Sequence, residues 1–321
     1  MNYPETLSWI HGTERFGSRL GLGRMGRLLH RMGDPHLRVP YIHVAGTNGK
    51  GSTTTMIASA LTAGGFKTGK FISPFILEFR ERMQIDGEMI PEETLAALAT
   101  RLFPIAEEFK AAGDPPTEFE LVTVLGLTWF AEAGCDIAVL EVGLGGRLDA
   151  TNIIPAPLVA VITRIDYDHT AILGDTLAAI AGEKCGIIKR GSTVVSYPDQ
   201  AEEALTVIRR RAAEEQDSLC LPDLEQLSAL SSDLSGSHIR YKGQEVFVPL
   251  AGPHQILNAA TAMEALEALS GSRFALPPAA VAAGIAAARF PARLELLRQS
   301  PPVLVDGAHN PNGGQALCDA L

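Results

Sequence analysis

Residues 41–63 constrain the fold of this chain more than any other segment. An apolar and β-branched run at 41–45 leads through glycines around Lys50 into a hydroxyl-rich stretch, 52–63, that is typical of a helix. Such a strand-loop-helix unit gathers backbone N–H groups and the positive end of a helix dipole around one point. The segment therefore predicts a phosphate site, with Lys50 on the outer phosphates and the hydroxyl of Ser52 or Thr53 on Mg²⁺.

The loop departs from the strict spacing G-x-x-x-x-G-K-[ST]. Val44 stands where the first glycine belongs, and Gly51 separates Lys50 from Ser52. The alternative is an ordinary glycine-lysine turn. The flanking strand and helix favour phosphate binding over that alternative, so we predict a site for a nucleoside triphosphate.

Apolar runs of strand length alternate with helical patterns along most of the chain. This alternation predicts an α/β fold of the P-loop type, with a mainly parallel sheet flanked by helices on both faces. In such sheets, ligands gather at the carboxyl ends of the strands. The predicted strands are 41–45, 70–72, 137–142, 159–165 and 193–196, and the predicted helices are 52–63, 92–112, 118–132, 176–188 and 200–215.

The sequence pattern changes after residue 231. Residues 231–250 predict a β-hairpin that turns at Lys242-Gly243; helices follow at 254–269 and 277–289, a linker at 290–293 and a strand at 302–306. We expect an ATP-binding domain over 1–290, then a linker and the beginning of a smaller Rossmann-like domain over 291–321. The second segment is too short for a core of its own, so it either packs on the first domain or is an incomplete domain.

Composition argues against several functional classes. The 321 residues are 46% hydrophobic without an apolar run of about 18 residues, and the N-terminus lacks the pattern of a secretion signal. The net charge of −10 argues against binding to nucleic acid. The scattered cysteines fit reduced thiols of a cytoplasmic protein better than disulfides or a zinc site. They are Cys135, Cys185, Cys220 and Cys318.

Two segments place acidic groups after predicted strands. Glu141 ends a buried run before a glycine-rich turn, and beside a phosphate loop we predict that it binds Mg²⁺ rather than standing at an ordinary turn edge. Asp166, Asp168 and His169 crowd together after the next predicted strand. They could hold a divalent ion, although their spacing alone slightly favours a capped, solvated loop.

Two weaker signals lie further along the chain. Lys184 is a lone helical lysine, which is usually a solvated surface group. Asp306 and His309 follow a predicted strand, and Arg293 lies in the linker. These three positions are equally compatible with a strand-to-helix turn capped by an asparagine.

Taken in order, these segments resemble the folylpolyglutamate synthase and dihydrofolate synthase family of Mur-type ATP-dependent amide ligases. The phosphate loop and the Glu141 segment are the most specific parts, and the matches span nearly the whole chain. The matching motifs are GLGRM (21–25), HVAGTNGKGS (43–52), SP (73–74), TEFE (117–120), EVGLGGRLDATN (141–152), DH (168–169), LG (173–174), EKCGIIK (183–189), GPHQILN (252–258), RLE (293–295) and DGAHNP (306–311).

The resemblance implies a ligase that adds L-glutamate to a folate or to dihydropteroate. The acceptor carboxylate first takes the γ-phosphoryl group of ATP, and the amino group of glutamate then displaces phosphate from the acyl phosphate. Mg²⁺, Lys50 and backbone donors would screen the charge between the two anions. It also implies two Mg²⁺ sites, a monovalent cation, a carbamate formed from CO₂ on Lys184, no nucleic-acid or membrane partner, and a cytoplasmic monomer.

The resemblance assigns roles position by position. The catalytic residues would be Lys50, Lys184 and His169. The ATP site would be Gly46, Thr47, Asn48, Gly49, Lys50, Gly51, Ser52, Thr53, Asn258, Arg293, Asp306 and His309. The metal ligands would be Ser52, Ser73, Glu141, His169 and Lys184 as its carbamate. The pterin substrate would contact Gly21, Leu22, Arg24, Ser73, Pro74, Thr117, Phe119, Glu120, Leu148, Asp149 and Ala150.

Three features depart from the family pattern. Phe75-Ile76 stand where the family usually has His-Leu, and Gly23 stands at a usually acidic position. Family members also carry a complete C-terminal domain that closes over ATP, of which residues 291–321 match only the beginning. We therefore expect a chain ending at Leu321 to lack part of the closing domain.

Two alternatives remain. One is a Mur-type cell-wall ligase acting on a UDP-linked muropeptide, which the 40 residues before the first strand disfavour because those enzymes have a separate N-terminal domain. The other is a nucleotide-binding module without turnover. The sequence does not distinguish addition of the first glutamate from addition of later ones.

Overall fold

The computed structural model describes residues 1–13 and 21–321. Its strands are β1 (Tyr41–Ala45), β2 (Thr68–Phe71), β3 (Met83–Ile85), β4 (Glu88–Met89), β5 (Ile137–Glu141), β6 (Val159–Ile162), β7 (Thr193–Ser196), β8 (Ser218–Cys220), β9 (Leu227–Asp233), β10 (Gly236–Tyr241), β11 (Gln244–Val248), β12 (Glu295–Gln299) and β13 (Pro302–Val305). Its helices are α1 (Tyr3–His11), α2 (Gly23–Arg31), α3 (Lys50–Ala63), α4 (Glu92–Ala111), α5 (Glu118–Glu132), α6 (Thr170–Leu173), α7 (Leu177–Lys184), α8 (Glu202–Glu215), α9 (Pro253–Glu267), α10 (Pro278–Ala287) and α11 (Pro311–Ala320).

An eight-stranded sheet forms the centre, in the order β4-β3-β2-β5-β1-β6-β7-β8. The strands from β2 to β8 in that order run parallel, and β3 and β4 form an antiparallel edge. β1, β5 and β6 are buried along their whole length. Continuous apolar runs of this kind are what a parallel strand covered on both faces requires. The predicted α/β fold is therefore confirmed.

Helices cover both faces of the sheet. One buried cluster joins α1, α2, α4 and α5 to one face, and Leu121, Leu125 and Phe130 of α5 lie at its centre. Another joins α3, α9 and α10 to the opposite face, and it includes Ile57 and Leu61 of α3. Helices α9 and α10 contact β11 of the three-stranded sheet β11-β10-β9. A third lies between the sheet and helices α7 and α8. Among the described helices, none is long and apolar enough to cross a membrane.

The sequence missed several short elements. β3, β4, β8 and β12 have only two to five residues each, so they show little periodicity. The predicted hairpin turns at Lys242-Gly243 as expected, but β9 extends it to three strands. The predicted helix over 176–188 is wrong beyond Lys184, because a 3-10 turn over Cys185–Ile187 follows. Gly186 packs there against Arg147, whose Cα would lie 2.4 Å from an added Cβ.

The C-terminal segment forms a β-hairpin followed by a helix. β12 and β13 pair antiparallel, and α11 contacts α9. The Leu294 N–H donates to Asp306 Oδ2 at 2.9 Å, which closes the base of the hairpin. Placement of a domain boundary at residue 290 stays a prediction.

The contact between α3 and α10 offers a test of the packing. A Cβ on Gly284 of α10 would lie 2.2 Å from the Cα of Ala60 on α3. We expect Gly284→Ala to lower the free energy of unfolding by about 1–3 kcal/mol, because it forces the two helices apart. Urea unfolding followed by circular dichroism measures the change.

The matched control is Gly182→Ala in α7, where an added Cβ meets nothing within 4 Å. This change should raise the free energy of unfolding by up to about 1 kcal/mol, since alanine favours helix over glycine. Equal effects of the two substitutions would contradict the packing argument.

Candidate functional site

A cleft lies at the carboxyl ends of the parallel strands. The segments that follow β1, β2, β5, β6 and β7 form its floor, and α9 and the C-terminal segment form its other wall. Its lining includes Gly46, Thr47, Asn48, Gly49, Lys50, Gly51, Ser52, Ser73, Pro74, Glu141, Arg164, Asp168, His169, Lys184, Tyr197, His254, Gln255, Asn258, Arg293, Asp306 and His309. The structure thus brings together the predicted nucleotide and metal residues, except Thr53, which is fully buried outside this lining.

The phosphate loop leaves the start of α3 open towards the cleft. Gly49 precedes α3 with a φ of 86°, a left-handed conformation that glycine adopts without strain. Within residues 1–13 and 21–321, no side chain caps this helix and its first turn has no acidic residue. The first N–H groups of a helix have no partner within it, so they can bind an anion.

Lys50 is the first residue of α3, and its side chain folds over the loop. Lys50 Nζ donates to Thr47 O at 3.0 Å. The Thr47 and Asn48 N–H groups donate to Arg164 O at 2.8 and 3.2 Å, which ties the loop to the segment after β6. The loop is therefore held in place by a neighbouring strand end.

Glu141 supplies a buried carboxylate at the end of β5. Its Oε2 accepts a hydrogen bond from the Ser73 N–H at 3.1 Å. Burial raises the pKa of Glu141, and the positive charges of Lys50 and Arg293 and the Ser73 N–H act in the opposite direction. A metal ion would stabilise the charged form of such a group.

Lys70 is a buried lysine that the sequence analysis missed. It lies close to the Glu141 carboxylate, and burial lowers the pKa of Lys70 to about 8.

Lys184 is only 4% exposed, so it is not the solvated surface group that a lone helical lysine usually is, and the resemblance had already assigned it to the site. Its Nζ donates to Gly46 O at 2.8 Å, and the side chain lines the cleft beside the phosphate loop. Burial lowers the pKa of Lys184 to about 7, and the charge of Lys50 adds to this effect. Near neutral pH, Lys184 is therefore a neutral, nucleophilic amine in a substantial fraction of the molecules.

The loop after β6 connects the phosphate loop with the C-terminal segment. Asn310 Nδ2 donates to Asn48 Oδ1 at 3.1 Å and to Asp168 Oδ2 at 3.3 Å. Asn48 Nδ2 donates in turn to Asn312 Oδ1 at 3.0 Å. The neighbouring His169 has a side chain that is 56% exposed and lines the cleft. The backbone N–H of Asp166 donates a hydrogen bond to Thr47 Oγ1 at 3.0 Å, which fixes the position of Asp166.

The far wall contains two residues that the sequence analysis missed. His254 and Gln255 lie on the first turn of α9, one turn before Asn258, so all three share a helix face. Gln255 Oε1 accepts from Asn258 Nδ2 at 3.0 Å, which orients the amide of Asn258. The helical spacing within GPHQILN was the signal that could have identified them.

A second pocket adjoins the cleft. It is lined by Gly21, Ser73, Pro74, Arg82, Thr117, Phe119, Glu120, Gly143, Leu144, Leu148, Asp149 and Ala150. The predicted pterin contacts Leu22 and Arg24 stand outside this lining. Arg24 lies behind Glu120, and its Nε donates to Glu120 Oε2 at 2.8 Å. Arg24 therefore supports the wall of the pocket from behind.

Arg82 is a further residue that the sequence analysis missed. Its guanidinium lies 5.1 Å from the ring centre of Phe75 and 5.7 Å from that of Phe79. Across the part of the chain that the structure describes, its buried Nε has no hydrogen-bond partner. Phe75, which replaces the usual histidine, thus packs under a buried cation, and the sequence pattern around position 82 carried no signal for this.

The two pockets share part of their walls. Ser73, Pro74, Gly143 and Leu144 line both of them. A group bound in the second pocket can therefore approach the phosphate loop. In the described ranges, no group of three or more His, Cys, Asp or Glu side chains converges as a preformed metal site.

Comparison with known proteins gives consistent matches. Residues 44–266 match the family model of the Mur ligase middle domain. The chain is 40% identical over 330 residues to the dihydrofolate synthase/folylpolyglutamate synthase of Bacillus subtilis. That alignment covers 99% of this chain and 76% of the Bacillus subtilis protein. It is 38% identical over 331 residues to the folylpolyglutamate synthase of Lacticaseibacillus casei, in an alignment that covers 100% of this chain and 77% of the Lacticaseibacillus casei protein.

Solved structures superpose on the fold. A folylpolyglutamate synthase–AMPPCP–folate complex matches with a TM-score of 0.92 at 37% identity, covering 100% of this chain and 80% of that one. A Mycobacterium tuberculosis folylpolyglutamate synthase complexed with ADP matches with a TM-score of 0.90 at 34% identity, covering 100% of this chain and 74% of that one. Together these matches confirm the resemblance and the fold class, and they support ATP binding.

Gly49 provides a test of the phosphate loop. A Cβ at this position would lie 2.4 Å from Asn258 Oδ1 and would strain the left-handed backbone. We expect Gly49→Ala to weaken binding of AMPPCP in the presence of Mg²⁺ about tenfold or more, equivalent to about 1.4 kcal/mol. Isothermal titration calorimetry measures the affinity.

The control is Gly65→Ala. Gly65 has a similar φ of 90°, but an added Cβ meets nothing within 4 Å. This substitution shares the backbone strain without entering the loop, so affinity for AMPPCP should stay unchanged. Equal affinities of the two variants would refute the assignment of the loop.

Proposed function

This chain belongs to the folylpolyglutamate synthase and dihydrofolate synthase family, and we propose that it joins L-glutamate to a folate or to dihydropteroate in an ATP-driven reaction. The observation that carries the proposal is the shared wall of the two pockets at Ser73, Pro74, Gly143 and Leu144. A pterin in the second pocket can present its carboxylate to the terminal phosphate of ATP in the cleft. The transfer needs this proximity, because bringing two anions together is its main barrier.

The phosphate loop would hold the nucleotide. The open N–H groups at the start of α3 would bind the β- and γ-phosphates, with Lys50 as the adjacent cation. Asn258, Arg293, Asp306 and His309 line the opposite wall, where they would contact the rest of the nucleotide. The guanidinium of Arg293 stacks on Phe290 at 4.8 Å from the ring centre, which limits its motion.

The residues of the cleft fit Mg²⁺. Glu141, Ser52 and Ser73 offer oxygen atoms from one carboxylate and two hydroxyls, and this sparse set suits an ion that keeps water and phosphate ligands. When bound, Mg²⁺ would neutralise developing charge on the phosphates. We infer that His169 and a carbamate on Lys184 would hold a second ion, and the expected monovalent cation stays a prediction.

The chain's own groups would then lower the barrier. Lys50 would stabilise charge on the γ-phosphoryl group as the acceptor carboxylate attacks it. Backbone donors of the phosphate loop would hold the leaving ADP, and the amino group of glutamate would displace phosphate from the resulting acyl phosphate. Residues of α9 and α11 line one side of the cleft, where they would limit access of water to that intermediate.

The relatives matched over nearly the whole chain favour a folate ligase over the cell-wall alternative. α1 and α2, which precede β1, pack against α4 and α5. They contribute Ile10, Met25 and Leu28 to the core of the sheet domain. Monomeric state and cellular location stay predictions.

A product assay tests the function. We expect ligated product and phosphate release only when ATP, Mg²⁺, L-glutamate and a pterin acceptor are all present. Dihydropteroate and tetrahydrofolate are supplied in parallel, and mass spectrometry of the products shows whether the chain adds the first glutamate or later ones.

Lys50→Met should lower the rate of ligation about 10²–10³-fold by removing a charge that acts in the transition state.

Two outcomes would contradict this proposal. One is glutamate-independent phosphate release without any ligated product. The other is AMPPCP binding without product from either acceptor, which would favour a nucleotide-binding module without turnover.

Lys184 gives a separate test of carbamate formation. Only the neutral amine attacks CO₂, so the carbamate should form above a pH of about 7 and be lost as pH falls and the amine is protonated. Incubation with ¹³C-bicarbonate should give a carbamate signal in NMR spectra that Lys184→Ala abolishes. Short carboxylates such as acetate should restore part of the activity of that variant.

The control is Lys189→Ala. Lys189 is also partly buried, and its Nζ donates to Asn152 O at 2.8 Å, away from the lining of the cleft. The carbamate signal should persist in this variant. A signal that survives in Lys184→Ala would disprove the assignment.

A further inference from the structure

A buried histidine lies in the middle of the sheet, and none of the steps above uses it. His43 is the central residue of β1, opposite Leu140 of β5 and Ala160 of β6, and it is fully buried. Burial lowers the pKa of His43 to about 3, so the imidazole is neutral. A polar ring at the centre of a parallel sheet costs desolvation energy unless a partner compensates it.

The partner is the hydroxyl of Thr151. His43 Nε2 lies 2.8 Å from Thr151 Oγ1. That hydroxyl in turn lies 2.5 Å from Asp149 Oδ1. The three side chains form one hydrogen-bonded series from the sheet to the second pocket, where Asp149 is part of the lining.

The direction of each hydrogen bond follows from the backbone donors. The Thr151 N–H donates to Asp149 Oδ1 at 2.9 Å, and the Leu144 N–H donates to Oδ2 at 2.8 Å. Burial raises the pKa of Asp149, and the hydrogen bonds from the Thr151 hydroxyl and from backbone N–H groups act in the opposite direction. Because both carboxyl oxygens accept a backbone N–H, we assign the charged form, which only accepts. Thr151 must therefore donate its one hydroxyl hydrogen to Asp149 and accept from His43 Nε2–H. Nδ1 then carries a lone pair, and it has no partner in the residues described.

The series ends at the boundary between the two pockets. Asp149 binds the N–H of Leu144, and Leu144 lines both the cleft and the second pocket. Asp149 itself lines the second pocket and not the cleft, so a shift of its carboxylate changes the second pocket directly. A pterin ring presents N–H donors, and a fixed carboxylate is their natural acceptor.

We propose that His43 and Thr151 are positioning residues that hold the Asp149 carboxylate in the orientation required to bind the pterin acceptor. The proposal rests on the proposed function for the identity of the acceptor. His43 orients the Thr151 hydroxyl, Thr151 orients the carboxylate, and neither residue lines the cleft. Acceptor affinity is therefore sensitive to this series and nucleotide affinity is not.

Paired substitutions test the series. Thr151→Val removes the hydroxyl at nearly constant volume, and Thr151→Ser retains it. His43→Leu removes the donor, and His43→Gln can place an N–H near the position of Nε2. We expect Thr151→Val and His43→Leu to raise the Kd for dihydropteroate or tetrahydrofolate about tenfold, the effect of one well-placed hydrogen bond. The Kd for AMPPCP should stay within about twofold, and Thr151→Ser and His43→Gln should recover most of the acceptor affinity.

Thr128→Val is the matched control. Thr128 is fully buried in α5, and its hydroxyl donates to Val124 O at 2.7 Å, so Thr128→Val also removes a buried hydroxyl, at a position that lines neither pocket. Acceptor and nucleotide affinities should both stay unchanged in this control. Fluorescence titration measures the affinities, and urea unfolding measures stability in the same variants.

The outcomes separate this inference from the proposed function. If the unsubstituted chain binds an acceptor and Thr151→Val binds it equally well, the positioning role is refuted while the function stands. A parallel loss of acceptor and AMPPCP affinity would also refute it, because that pattern reports general misfolding. If the unsubstituted chain binds neither acceptor, the proposed function fails and this inference fails with it.

Discussion

Parallel pairing of β1 with β5 on one side and with β6 on the other positions all the chemistry of this protein. In this register Val44 lies opposite Glu141, and Ala45 lies opposite Ile162. The phosphate loop, the Glu141 carboxylate and the Arg164 segment therefore emerge at one edge of the sheet, where a reversal of strand order leaves a crevice. A shift of one residue would turn the side chain of Glu141 to the opposite face.

Burial then decides how the groups at this edge behave. It raises the pKa of Glu141 and lowers the pKa of Lys184 to about 7, so both are biased towards their neutral forms. Lys50 reinforces the effect on Lys184 and opposes it on Glu141. The site is therefore an arrangement of buried groups that phosphate, metal or CO₂ can complete. If these groups instead formed ion pairs with one another, fewer of them would be available to bind such ligands.

Long, regular elements were predictable because their periodicity is local. The helix Glu118–Glu132 and the strands Tyr41–Ala45 and Thr193–Ser196 have the bounds expected from apolar pattern alone. Two- and three-residue strands such as β4 and β8 were not predictable, because so short a strand is stabilised by pairing with its neighbours and has no alternating apolar pattern of its own. The same limit applies to the end of α7, where contact with the Arg147 segment decides the conformation.

For the site, local pattern was enough wherever a motif carries its own geometry. The loop around Lys50 specifies a turn and a helix start, and Glu141 ends its strand, so both could be predicted from sequence. Local pattern was not enough for Lys184, which was assigned only through the family resemblance, and it gave no role for His43. The environment of Lys184 comes from the Gly46 carbonyl, 138 residues away in sequence, and that of His43 from Thr151, 108 residues away. Burial and hydrogen-bond partners at such separations arise only when the sheet assembles, and they make one lysine a weak base and one histidine a structural donor.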